Sequence, residues 1–447
     1  MKTRILFVIT ILAIAISSCT EIEKFKQGQT DTEAIYQSEN ILSHPGTVYL
    51  KNGDILTVFS SQNKAATPAE VFAVRKNVKI PGWSDPDTLL HTTRDCLLPA
   101  ISQFDNGIIS LVLTQFDNGT SQGIYLLFSY DNGHHFTAPR KIFTKGFENV
   151  QTHSPIYELK NGILIWTLEG DDSTSHAAFI LRSSDQGESW EDPVPISRGQ
   201  KGNLLSPCLV LLPQTILCLF DSDRGYINET FSEDEGRTWQ KSTPNAMYGK
   251  TPDCFLTNQG TLMTVFRDQW PEGISRCQSF NQGKTWENEK QIIPLAYGNY
   301  LKAYPLNENR GMAEYVVESE SGCSIMHTIF PIEIPQSPGG LSANRTEATE
   351  IHLRWNAVPD AKYYIVYRKE GTVAAGVSFT TEYRLAKVAQ NRFDDSNVTH
   401  ELSYTYAVSA VIGQGPVIPE SGMESDLSKP IVMPGSIQNE PETEESD

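Results

Sequence analysis

The sequence predicts an all-β protein in which a six-bladed β-propeller is followed by a β-sandwich. Three observations carry that prediction. The stretches "SYDNGHHF" (129–136), "SSDQGESW" (183–190), "SEDEGRTW" (232–239) and "SFNQGKTW" (279–286) recur at intervals of 54, 49 and 47 residues. A second pattern, a proline-led apolar strand, a turn and another apolar strand, recurs six times between about residues 41 and 333. Beyond the Pro/Gly stretch "PQSPGG" (335–340), period-two alternation continues without either pattern.

The first copy, "PGTVYLKNGDILTVFSS" (45–61), leads to a degenerate box ending at "GWSDP" (82–86). Later copies read "PAISQFDNGIISLVLTQ" (99–115), "PIYELKNGILIWTLEG" (155–170) and "PDCFLTNQGTLMTVFRD" (252–268). Asn-Gly and Gln-Gly between alternating apolar runs signal hairpins, because tight turns need positive φ. A third strand ("GIYLLFS", "AAFILRS", "YINETFS"), the box and a short edge strand complete each unit. Four antiparallel strands recurring at this period are the signature of a propeller blade. The sixth copy, from Tyr300, has no box.

The box reads as a turn staple between the third and fourth strands of a blade. Its Ser and Asp side chains bond local backbone amides, its Gly takes the left-handed conformation, and its aromatic fills a gap between strands. Ser232, Asp234, Gly236 and Trp239 are therefore structural, as are Asp131, Asp185 and Asn281 in the sister boxes, whereas Glu233 and Glu235 are expected to be solvated. In a propeller this turn lies at the outer rim, away from the central pocket.

The boxes resemble the Asp-box, Ser-x-Asp-x-Gly-x-Thr-Trp, of the sialidase (neuraminidase) superfamily. Three match well, Asn281 replaces Asp in the fourth, and the resemblance covers about 290 residues, 41–333. It implies a sialidase-like propeller. Residues 334–435, with a Trp on an early strand and a Tyr-x-Tyr-x-Val-x-Ala run at 404–410, resemble a fibronectin type III sandwich in which Tyr404 is the tyrosine-corner residue.

The chain opens "MKTRILFVITILAIAISSC", two basic residues before an apolar run, the layout of a secretory signal peptide. "ISSC" resembles a bacterial lipobox, which implies lipidation of Cys19, a signal peptide over 1–19 and a tether over 20–40. Residues 436–447 form an acidic tail expected to be disordered. A net charge of −18 argues against a nucleic-acid partner. No cysteine stands in a CxxC or zinc-like spacing, so neither metal nor cofactor is expected, and Cys254–Cys277 is the candidate disulfide. These readings describe a secreted protein, lipid-anchored to the bacterial cell envelope on the periplasmic or surface side of the outer membrane, with a glycan as its partner.

A propeller's pocket is walled by the starts of the first strands and the ends of the second. The starts supply His44, Arg94 with Asp95, His153, Ser206, Asp253 and Tyr300. The ends supply Gln62, Gln115, Glu169, Asp221 with Arg224, Arg267 with Asp268, and Glu318. The sialidase resemblance implies three arginines clamping a carboxylate, an Asp acid/base, and a Tyr nucleophile assisted by Glu. Tyr300 stands where the family's Tyr stands, and Arg276 best matches the third arginine. The first arginine's Arg-Ile-Pro is replaced by "SHPG", with His44 nearest, and the loop "SSQNKAATPAE" holds no Asp.

The candidate catalytic residues are Tyr300, Asp253, Glu169 and Asp95, with Glu169 and Asp253 as a candidate acid/base pair. Arg94, His153, Arg224, Arg267 and Arg276 are candidate substrate-binding residues, and Trp270 a candidate stacking platform. The expected function is exo-hydrolysis of a terminal acidic sugar. Two alternatives stay open: a hydrolase or lyase acting on uronic-acid glycans through His153 and Tyr300, and a non-catalytic glycan-binding propeller lipoprotein.

Overall fold

Alternating β-branched and aromatic residues, broken by turns such as Asn52-Gly53, Asn106-Gly107 and Asn161-Gly162, favour extended strands over any other local structure. The computed structural model is accordingly all-β, its regular structure being strand apart from one 3-10 turn at Thr381–Tyr383. It describes residues 31–435 except 64–67, 78, 197–203, 258–259, 295–298, 308–309, 321, 333–335, 360, 373–378 and 413–422. The signal peptide, Cys19 and the acidic tail lie outside the described residues. The described residues fall into two compact units, those within 1–257, 262–278 and 286–332, and those within 258–261, 279–285 and 333–447.

Strand β1 (Asp31–Ser38) does not pair with its neighbour in sequence. Four consecutive strands, β2 (Ile41–Tyr49), β3 (Ile55–Gln62), β4 (Glu70–Lys76) and β5 (Asp87–Leu90), form one antiparallel sheet. The next sheet holds β6 (Asp95–Gln103), β7 (Ile109–Asp117), β8 (Thr120–Ser129) and β9 (Arg140–Ile142). The third holds β10 (Glu148–Glu158), β11 (Leu164–Asp171), β12 (His176–Ser183) and β13 (Val194–Pro195).

A seven-stranded sheet comes next: β14 (Leu204–Leu211), β15 (Ile216–Ser222), β16 (Tyr226–Ser232), β17 (Thr243–Leu256), β18 (Leu262–Gln269), β19 (Glu272–Ser279) and β20 (Glu287–Pro294). Its middle strand serves two sets of four. The first half of β17 pairs with β16, from Glu229↔Thr243 to Tyr226↔Tyr248, and the second half with β18, from Gly249↔Asp268 to Leu256↔Leu262. At the changeover a Cβ on Gly249 would stand 2.4 Å from Phe266 Cδ2 and 2.7 Å from the Arg267 carbonyl, so only glycine fits.

The last sheet, β21 (Asn299–Asn307), β22 (Arg310–Ser319) and β23 (Gly322–Pro331), takes its fourth strand from β1. Asp31↔Ile329 through Ser38↔Cys323 set the register. Residues 31–38, expected within the tether, are thus part of a sheet. "DTEAIYQS" alternates weakly, but Ile35 is buried against Val316 and Ile325, and the boxless sixth unit has no fourth strand of its own.

The apolar cores lie between successive sheets. Val58 and Val71 meet Leu111 and Leu113; Val112 and Leu126 meet Trp166 and Phe179; Ile165 and Ile180 meet Leu209 and Phe220. Leu219 meets Phe266, Val265 meets Ala313 and Phe330, and Val316 and Ile325 return to Leu42 and Phe59. The order of contacts is therefore cyclic, first sheet against last. Trp166, fully buried, is core as its inward alternation suggests.

The boxes do what their sequence demands, and one thing more. Ser232 Oγ accepts from Gly236 N at 2.8 Å, while Asp234 accepts from Thr238 N at 2.8 Å and Thr238 Oγ1 at 2.6 Å. Ser129, Ser183 and Ser279 repeat the first bond, and Asn281 Oδ1 takes the amide of Thr285 at 2.9 Å. The aromatic sits in an inter-sheet core, Trp239 beside Ile180 and Leu209.

Glu235 is exposed, as expected, and also serves as a latch. The buried Arg182 guanidinium on β12 donates to the Glu235 carbonyl and lies 3.4 Å from its carboxylate, and Asn161 Nδ2 donates to Glu235 Oε1 at 2.7 Å. Arg75 bonds Asn132 O at 2.7 Å, and Arg140 bonds the Gly187 carbonyl in the same manner. Each arginine comes from the preceding sheet, which nothing within a box's eight residues reveals.

The second unit contains β24 (Ser342–Glu347), β25 (Glu350–Arg354), β26 (Ala361–Glu370), β27 (Arg384–Val388), β28 (Arg392–Asp395), β29 (Tyr404–Ile412), β30 (Met423–Glu424) and β31 (Ile431–Met433). One sheet runs β24-β25-β28; the other runs β27-β26-β29-β30, with β31 also on β29. Trp355, Tyr364, Tyr404 and Tyr406 fill the core between them, and the Tyr404 hydroxyl accepts from Thr399 N at 2.9 Å.

Candidate functional site

Each set of four strands in the first unit breaks register within its first strand, β17 being the first strand of the second set in the seven-stranded sheet. The breaks fall between Ser43 and Gly46, Leu97 and Ala100, Thr152 and Ile156, Leu205 and Cys208, Lys250 and Asp253, and Asn299 and Lys302. At five of them a non-glycine residue takes left-handed φ: His44 (51°), Leu98 (58°), Ser206 (51°), Thr251 (48°) and Tyr300 (62°). Bulges of this kind re-aim side chains, and left-handed non-glycine residues store strain that the surrounding sheet must hold.

All six bulges open on one cavity of about 270 Å³. Its wall carries His44 and Pro45 from β2, Leu98 and Pro99 from β6, His153 from β10, and Ser206, Pro207 and Cys208 from β14. Thr251 and Pro252 come from β17, and Tyr300, Leu301 and Lys302 from β21. Prolines and leucines make an apolar wall; the polar groups are two imidazoles, an ammonium, a phenol and hydroxyls. The His44 and Tyr300 rings lie 3.8 Å apart, centre to centre.

Carboxylates stand behind this wall. Glu169, buried on β11, accepts from His153 Nε2 at 2.8 Å and Ser206 N at 2.9 Å, and lies 3.8 Å from His176 Nε2. Burial opposes its charge, but the His153 charge and these hydrogen bonds outweigh it and hold the carboxyl well below the usual range. His176 also bonds Asp171 at 2.7 Å, and the nearby Glu169 carboxylate, then Asp171, push it up to about 9.

Asp221 behaves in the opposite way. One oxygen accepts from Thr251 N at 3.3 Å, the other is buried without a partner, and burial pushes the group up to about 6. Asp253 accepts from Ala303 N at 2.7 Å and from Cys208 Sγ at 3.2 Å. It lies 3.8 Å from Lys302 Nζ, which donates to the His153 carbonyl at 2.7 Å. Burial, then the charges of His153 and Lys302, keep His44 well below its ordinary value. Burial, then Glu318, raise the Tyr300 phenol. The site therefore pairs a held carboxylate with a carboxylic acid that stays protonated to weakly acidic pH.

Four of the sequence-derived candidates come together here: His153 and Tyr300 in the wall, Glu169 and Asp253 behind it. Asp95 is spent on the Ala69 amide at 2.8 Å and does not line the cavity. The arginines do not converge. Arg94 and Arg224 are exposed, Arg267 lies 3.7 Å from Glu272, and Arg276 is buried within β19 with Nη1 on Gln278 Oε1 at 3.0 Å. Trp270, 86% exposed, sits in the turn after β18. No arginine among the described residues lines the cavity. Sequence reasoning did not single out Lys302, although alternation places it on the same side of β21 as Tyr300. It also passed over His176, which faces Asp171 across β11 and β12. Among the described residues no group of three or more His, Cys, Asp or Glu is placed to hold a metal ion.

Residues 55–251 match the family described as BNR repeat-like domain. No curated protein matches the chain in sequence. Among solved structures, a protein of unknown function from Dyadobacter fermentans is 16% identical, covering 68% of this chain and 99% of its own, with a TM-score of 0.60. The NanB sialidase from Streptococcus pneumoniae is 12% identical, covering 68% and 70%, with a TM-score of 0.55. An α-L-arabinanase from Penicillium chrysogenum is 14% identical, covering 67% and 97%, with a TM-score of 0.53. At such identities the likeness is one of fold, and the fold is sialidase-like.

Proposed function

We propose that the first unit is a closed six-bladed propeller and that the protein is a glycan-processing enzyme, a sialidase-like exo-glycoside hydrolase working in the cavity where the six first strands meet. The cyclic order of inter-sheet cores supports the closure. One observation carries the activity: His153, held by Glu169 at 2.8 Å, shares the wall with Tyr300 and Lys302. With Nε2 engaged by the carboxylate, the His153 ring has Nδ1 left as the atom that takes a proton from water. Asp221, protonated below about pH 6, is the acid for the leaving group. Lys302 takes the place of the missing arginines opposite an acidic sugar's carboxylate, as a point charge.

In this reading the second unit is a fibronectin type III-like module, supported by the Tyr404 hydroxyl on the Thr399 amide. Export and lipid anchoring through Cys19, suggested by "ISSC", would place the protein among envelope glycans. The test is a panel of fluorogenic sialosides, uronides and neutral glycosides, run on the wild type, His153→Ala and Glu169→Gln. Turnover of one acidic glycoside, lowered about 10²–10⁴-fold by His153→Ala, is the expected result. An unsaturated product absorbing in the ultraviolet would favour a uronide lyase using the same His153 and Tyr300. Saturable binding without turnover anywhere would leave a glycan-binding protein and sink the hydrolase.

A further inference from the structure

Two buried cysteines beside the cavity stand closer together than packing explains. Cys208 Sγ lies 3.0 Å from Cys254 Sγ, about 1 Å beyond a disulfide bond length. Cys208 is on β14, one residue past Pro207 in the cavity wall; Cys254 is on β17, one residue past Asp253. Both belong to the core between the two four-strand sets that share β17.

The other thiols are placed differently. Alternation puts Cys218 on the opposite face of its sheet, in the core with Ile180 and Leu209. Cys277 Sγ is turned to the Glu287 carbonyl at 3.1 Å. Cys96 and Cys323 lie in other cores. The Cys208 thiol also has a polar role, since its S–H donates to Asp253 Oδ1, the oxygen 3.8 Å from Lys302 Nζ.

We propose that Cys208 and Cys254 form a disulfide beneath the cavity, and that making it shifts Lys302 from the His153 carbonyl toward Asp253. The bond needs no glycan reading to hold; its consequence for substrate rests on the function proposed above. Both thiols give up their protons, and the pair gives two electrons to a disulfide oxidant, R–S–S–R. The first thiolate attacks the oxidant to form a mixed disulfide and expel one RS⁻; the second displaces the other RS⁻, and both leaving groups take up the two protons. The hydrogen bond with Cys254 and burial hold the Cys208 thiol well above its ordinary range, so exchange proceeds while the sheets are opening or not yet closed. Once formed, the bond removes the Cys208 S–H, and Asp253 Oδ1 turns to the ammonium alone.

The test uses the full chain, equilibrated with oxidised or reduced glutathione, alkylated in denaturant and mapped as peptides without reduction. The expected result with oxidised glutathione is a Cys208–Cys254 crosslinked peptide with Cys96, Cys218, Cys277 and Cys323 alkylated. Alkylation of both Cys208 and Cys254, or a Cys254–Cys277 link instead, overturns the proposal. The oxidised protein should also melt several degrees higher than the reduced one. Cys208→Ala/Cys254→Ala should lose that difference, and the wild-type map decides the question if this variant does not fold. Amine-reactive labelling of Lys302, which needs no substrate, should be slower in the oxidised protein. Equal rates in a protein whose map shows the bond would remove the Lys302 shift while leaving the disulfide standing.

Discussion

Glu314 on β22 is fully buried, and only one of its oxygens is satisfied, by Thr47 Oγ1 at 2.9 Å. Burial pushes its carboxyl up to about 7. A raised carboxyl keeps its proton in the folded state where the unfolded chain has lost it. Stability therefore falls as pH rises from about 4.5 to about 7, by a loss of about 3 kcal/mol that persists above that window. Glu314→Gln should leave the melting temperature unchanged near pH 4 and raise it at pH 8; parallel pH profiles for wild type and variant would refute the assignment. Such a group is invisible in sequence, where Glu314 is one carboxylate among many. His153 and Tyr300 were legible because the repeat places each in the first strand of its unit, near the end that faces the pocket. The arginines were not, because a guanidinium at the right place in the chain can be drawn inward, as Arg276 is by Gln278.

At the scale of the element, the box was read correctly as a turn and incompletely as a joint. Asp234→Ala removes the acceptor for Thr238 N and Oγ1 and should cost about 1–2 kcal/mol, comparable to losing a helix cap. Arg182→Met keeps the aliphatic stem but abandons the Glu235 carbonyl, and should cost about 2–3 kcal/mol. Denaturant titration measures both, and neither should alter turnover or ligand binding at the cavity. A loss of function at unchanged stability would move the box from scaffold to site. Local patterns spell out the turn because Ser, Asp and Gly act within eight residues. The latch escapes them because its arginine lies about fifty residues earlier, in a strand that reads as ordinary core.

The whole molecule depends on a strand that composition would have discarded. Deleting residues 31–38 strips β23 of one of its two partners and bares a hydrogen-bonding edge together with the Val316–Ile325 core. That truncation should aggregate or lose cooperative unfolding, whereas removal of residues 1–30 should preserve the melting transition. Scanning calorimetry on the two truncations separates these outcomes, and equal behaviour would make β1 dispensable. The succession of antiparallel strands was legible from the repeat; the merging of two units into one seven-stranded sheet and the partner of the last sheet were not, the latter because its signal lies at the far end of the chain.

Thr32 and Thr328, hydroxyl to hydroxyl at 2.9 Å, are 296 residues apart. A contact of such range forms last and slowly, since nearly the whole first unit must be ordered before its closure is rewarded. During synthesis β1 emerges early and has nothing to pair with until β23 is made. The growing chain thus remains open by construction, a polypeptide that can be threaded and handed on, and it becomes a finished object only when its late strand meets its early one.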